Sequence, residues 1–206
     1  FQYSLIPGVG THGKLSAQVM NRFSFNILGG YGAGVSGFEL GGLFNIDKKD
    51  VQHVQIAGIF NIVGGQVKGL QIAGIYNQVL DSVHGWQIGG IGNVVKESFS
   101  GVQIGGIYNQ VSGSTEGIQV TGIINNNRSG THGIQIAGIG NTSNKIMNGV
   151  QIAGIFNYAR LLQGLQIGLV NIADTSAGYS LGLINIISKG YHKLSFSADE
   201  VSDINL

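Results

Sequence analysis

An asparagine returns every sixteen residues along most of this chain, at Asn45, Asn61, Asn77, Asn93, Asn109, Asn125, Asn141 and Asn157, and then at the shorter spacing of fourteen at Asn171 and Asn185. A period this short constrains the fold more than any local propensity does. Each unit is too small to bury a face alone and must bury it against neighbouring copies. Six residues before the asparagine stands a glutamine, at Gln55, Gln71, Gln87, Gln103, Gln119, Gln135 and Gln151, with Glu39 heading the column. The unit reads G-x-Q-I-[AG]-G-I-x-N. Its leading glycine, found at Gly37, Gly69, Gly85, Gly101, Gly117, Gly133 and Gly149, gives way once to His53, whereas the inner glycine is kept from Gly42 to Gly154.

Apolar residues alternate at period two within each unit, the pattern of strands. In one copy the apolar parity shifts after Gly74, so that Leu70, Ile72, Ile75, Asn77 and Val79 are expected inside, and Gln71, Tyr76 and Gln78 outside. Two short strands would meet at a glycine corner, where the missing side chain permits a bend and close backbone approach. A third, variable and more polar segment, such as residues 80–84, reads as the turn side. At about 3.3 Å per residue, one unit gives a perimeter of roughly 50 Å, enough to close a coil around a filled interior. The expected fold is all-β: a single parallel β-solenoid (β-helix) of about ten coils with sixteen residues per coil. Antiparallel barrels repeat as hairpins, so single-strand units argue against one. Glycine is too frequent, and the period too short, for helical or leucine-rich repeats.

Composition narrows function. A net charge of +1, from scattered basic residues, lacks the cationic stripe that neutralises phosphates, so no nucleic-acid partner is expected. Zero cysteines exclude disulfides and thiolate metal sites. No apolar run is long enough for a membrane-spanning helix. The start at Phe1 is expected to reflect a trimmed or mature segment.

Stacked like side chains give the columns their expected roles. The structural asparagine ladder, Asn45 through Asn157, would bond along the stack and to free backbone groups. The glutamines, outward by parity, would form a polar strip beside the small residues Ala57, Ala73, Gly89, Gly105, Thr121, Ala137 and Ala153. In the column just before the asparagines, Phe44, Phe60, Tyr76, Tyr108 and Phe156 would form an outward aromatic row, a candidate interaction stripe that Ile124 joins and that Gly92 and Gly140 interrupt, where a ligand edge could sit. Catalytic, cofactor and metal sites are not expected. His84 and His132 share a column but lie three coils apart, about 14 Å at the spacing between strands, too far to share a metal. Glu97 and Glu116 fall in different columns, leaving no carboxylate cluster of the kind a carbohydrate-active β-helix enzyme would need.

Three regions are expected: residues 1–36 as an N-terminal cap with a degenerate first coil, 37–187 as the repeats, and 188–206 as a C-terminal exit segment. Caps blunt terminal strands that would otherwise polymerise. The stretch from Gly37 to Asn45, followed by repeated Gln-Ile-Ala-Gly-Ile-x-Asn units, resembles the surface-repeat regions of Bacteroidota cell-envelope proteins, and residues 189–200 are similar to the segment that follows those repeats. Many proteins of that group carry carboxypeptidase-like regulatory or secretin/TonB short N-terminal domains, and some continue into an outer-membrane β-barrel. The resemblance implies an exported, envelope or cell-surface location and attachment to an outer-membrane protein region. The expected function is a non-catalytic scaffold presenting a repetitive surface to a protein or glycan. A carbohydrate-active lyase or hydrolase, and a ligand-free spacer, are the alternatives.

Overall fold

The computed structural model describes residues 1–189. The chain is a parallel β-solenoid of about eleven turns, each lying directly over the last. A typical coil has a seven-residue strand, Val67–Ala73, a corner at Gly74-Ile75, and a four-residue strand, Tyr76–Val79, before the variable turn. Register is in step with the repeat. Gln71 pairs with Gln55 and Gln87, and Asn77 with Asn61 and Asn93. The two fourteen-residue coils preserve this alignment, pairing Asn157 with Asn171 and Asn171 with Asn185.

The stack starts earlier than the repeat pattern does. Gln2–Ile6 lies parallel on Met20–Asn26, which lies on Gly34–Gly41, while a short 3-10 helix, Gly13–Gln18, fills the connection. The last described strand is Ile184–Lys189. The expected exit segment, beyond its first two residues, lies outside the described residues.

One expectation is overturned for the long strand. Gln55, Gln71, Gln87, Gln103, Gln119, Gln135 and Gln151 are fully buried, and Ala57, Ala73, Ala137 and Ala153 are buried beside them. Leu70 and Ile72 point outward instead, half exposed, and Ile75 stands on the corner at 42% exposure. A single parity therefore runs through the coil, carrying Val67, Gln71, Ala73, Asn77 and Val79 inward. The reason is that buried amides cost little when every donor and acceptor is paired, and stacking pairs them in series. The expectation for Asn77, Val79, Tyr76 and Gln78 agrees with the structure.

The interior is thus half amide and half hydrocarbon. Next to the turn, Val51, Val63, Val67, Val79, Val83, Val95, Phe99 and Val111 form an apolar column. Away from it, small residues leave room for the amides: a Cβ at Gly105 would meet Asn109 Oδ1 at 2.6 Å. The inner glycines face a different constraint, since a Cβ on Gly74 or Gly106 would overlap the carbonyl oxygen of Gly58 or Gly90 one coil below. The leading glycines from Gly69 to Gly149 have φ between +125° and +138°, a region that favours glycine. His53 occupies that column at φ +74°.

Candidate functional site

Two side-chain ladders run the length of the rod in opposite directions. Each asparagine donates one amide hydrogen to the next asparagine toward the C-terminus, from Asn45 to Asn61 at 3.0 Å and from Asn93 to Asn109 at 2.8 Å. The second hydrogen goes to a backbone carbonyl of that next coil, as from Asn77 to Ile88 O at 2.7 Å. Each glutamine donates toward the N-terminus, Gln71 to Gln55 and Gln87 to Gln71, both at 2.8 Å. The asparagines Asn45, Asn61, Asn77, Asn93, Asn109, Asn125, Asn141 and Asn157 are all fully buried and reach no surface. They hold the coil corner to the coil above.

Both ladders end in groups outside the repeat pattern, Asn26 for one and Asp47 for the other, the latter beside Glu39 at the head of the glutamine column. Where the next asparagine down would stand, the chain has Gly30, and the Asn26 side chain fills the space, donating to Asn45 Oδ1 at 3.0 Å. The glutamine ladder ends on two acids: Gln55 Nε2 donates to Glu39 Oε2 at 2.8 Å and to Asp47 Oδ2 at 2.7 Å. Each acid is only 1% exposed. Burial pushes the Asp47 carboxyl well above its ordinary value, the charge of Glu39 and a hydrogen bond with it push the same way, and the bond from Gln55 opposes them. Asp47 occupies the inward column of Val63 and Val79, and its pairing with Val63 was the signal that could have placed it inside.

The expected aromatic row is outward and half-buried, and its rings lie against their own column. Phe44 and Phe60 stack with centroids 5.2 Å apart and planes 7° from parallel. Gly92 and Gly140 are not openings, because the Tyr108 ring covers the first and the Phe156 ring the second, where a Cβ would collide with them. Burial raises the Tyr76 phenol above its ordinary value, with Tyr108 adding to the effect, and the Tyr76 hydroxyl donates to Gln78 at 3.0 Å. Phe44, Phe60, Tyr76, Tyr108 and Phe156 therefore brace the short-strand face, and much of their surface is already used.

The unsatisfied surface lies on the other face. With the glutamines inside, two outward columns of the long strand are apolar over ten successive coils: Phe38, Val54, Leu70, Trp86 and on to Tyr179 in one, Leu40, Ile56, Ile72, Ile88, Ile104 and on to Leu181 in the next. A third column, from Leu43 through Ile75 and Ile107 to Leu183, stands on the corner. Between the second and third columns the inner glycines are exposed and leave a groove, about 440 Å³ where Phe25, Ile27, Leu40 and Ile56 line it. Charged residues are absent from these columns. The exposed charges of the repeats, such as Lys48, Lys68, Lys96, Glu116, Arg128 and Arg160, sit at or beside the variable turn. His84 and His132 lie there too, in one column, with Ser100 and Glu116 between them.

At the spacing between strands, ten coils span about 45 Å, and the three columns about 20 Å, so the uncharged face covers on the order of 900 Å². A typical monomer's largest apolar patch is roughly 300–600 Å². Searches against family models, curated proteins and solved structures find no match to this chain.

Proposed function

We propose that this chain is a non-catalytic scaffold of the cell envelope whose long-strand face is a docking surface for protein. The unbroken apolar face carries the reading. Its columns offer a partner van der Waals contact and burial of aliphatic surface, and almost no side-chain hydrogen-bonding groups with which to hold a sugar. Protein contact is therefore favoured over glycan contact, and over the role of an inert spacer, for which an outward row of isoleucines has no use. Glu39 and Asp47, the carboxyl pair that the fold brings together, are sealed inside and serve the glutamine ladder. The envelope location and a link to an outer-membrane protein region are supported by the resemblance of the repeat unit and of the segment after it.

The test uses the protein as bait in three forms, wild type, the double variant Ile104→Lys, Ile136→Lys, and the control Lys96→Glu, against solubilised envelope proteins and a glycan array. Binding of a protein that is lost in the double variant and retained in Lys96→Glu is the expected result. Retention by all three forms, or binding confined to glycans, overturns it.

A further inference from the structure

We propose that the occupant of the apolar face is a second copy of this chain, the two solenoids packing face to face as an isologous dimer. The inference rests on the docking-face reading above and names its partner. Size agrees first: about 900 Å² on each copy matches the roughly 800 Å² per partner of a stable protein interface. Shape agrees next. The Ile72 column and the Ile75 column are two ridges, and the exposed inner glycines floor the groove between them. Across a two-fold axis, the Ile72 ridge of each copy enters the groove of the other, so that one surface supplies both halves of the fit. Spacing agrees last. Ridge residues recur once per coil at about 4.8 Å, and a second copy has the same repeat, so the interdigitation stays in step from end to end. Two such sheets pack about 10 Å apart, and end-to-end register sets the strands of the two copies close to parallel or antiparallel.

A lipid surface fits the same face less well. Few basic residues flank it as they would an interfacial apolar strip: in the column beside Leu70, which runs through Gln52, Lys68, His84, Ser100, Glu116 and His132, Lys68 is the one lysine, and Lys48, Lys96, Arg128 and Arg160 lie towards the variable turn. The dimer would bring the two apolar faces together and leave both turn sides, with their charges, in water.

Mass measurement by light scattering and sedimentation at micromolar concentration tests the proposal. The wild type should have twice the chain mass, and the double variant Ile104→Lys, Ile136→Lys the single-chain mass with an unchanged far-ultraviolet circular dichroism spectrum. Should that variant fail to fold, Ile104→Thr with Ile136→Thr keeps the β-branched shape and should weaken the dimer at least tenfold. A wild type of single-chain mass overturns the proposal, as does a folded lysine variant that remains dimeric. A monomer that still captures a different protein through Ile104 and Ile136 removes the self-association and leaves the docking face standing. A monomer that floats with phosphatidylcholine–phosphatidylglycerol vesicles overturns it in favour of lipid.

Discussion

Asn77 donates its side-chain amide to Asn93 at 2.9 Å, and the same bond is repeated sixteen residues before and after it. Asn93→Ala removes an acceptor for Asn77 and a donor to both Asn109 and Ile104 O. Leaving such buried groups unpaired costs roughly 1–3 kcal/mol. Chemical denaturation should show that loss, and an unchanged midpoint would contradict the ladder.

Gln103→Leu separates the two assignments of the long strand. Were Gln103 at the surface, the change would move stability by no more than about 0.5 kcal/mol. Sealed between Gln87 and Gln119, it should cost roughly 1–3 kcal/mol, because the Gln87 oxygen and the Gln119 amide each lose a partner. Thermal melting with a surface control on the same kind of strand, the exposed Gln52→Leu, decides between them.

His53→Gly should stabilise the protein. His53 stands at φ +74°, a backbone region costing an L-residue about 1–2 kcal/mol, and its ring gives back one exposed contact to Ser36 O at 3.1 Å. A net gain of about 1 kcal/mol is expected after the added entropy of glycine in the unfolded chain. A fall in melting temperature would show that the ring contact outweighs the backbone strain.

Asp47 makes stability depend on pH. An unfolded aspartate titrates near 3.8, whereas burial holds the native Asp47 carboxyl protonated to a higher pH. The folded chain therefore binds more protons between those two values. Its contribution to stability is complete below pH 3.8 and is lost as pH rises through the folded value. Asp47→Asn removes this titration while preserving a polar group for Gln55. Melting curves across pH should be flatter for the variant than for the wild type, with the larger gain at neutral pH. Parallel curves would refute the assignment.

The stack was legible because a sixteen-residue interval can be read without knowing which side chains face in. The face assignment was harder. Glutamine and isoleucine alternate along the long strand, and ordinary reasoning puts the hydrocarbon inside. Comparing copies within this one chain points the other way. The glutamine column is uniform from Gln55 to Gln151 beside small residues, while the column of Leu70, Trp86, Val102 and Ile118 varies in size, as an unpacked surface can. Odd-numbered positions from Val67 to Val79 then share one side without any shift at Gly74, and the odd-numbered Ile75 is displaced outward by the corner. The apolar face follows from that correction, because outward glutamines would have broken it into polar and apolar strips. The capping roles of Asn26 and Asp47 were hidden for another reason. Each works by departing from the repeat.

Opposed donation along the two amide files has a consequence for length. Dipoles of the asparagine side chains point one way along the axis and those of the glutamines the other, so their fields offset within each layer. Adding a layer then brings no growing axial polarisation that later layers must oppose, and elongation is electrostatically neutral. Such a rod can be lengthened or trimmed in whole units without retuning its ends.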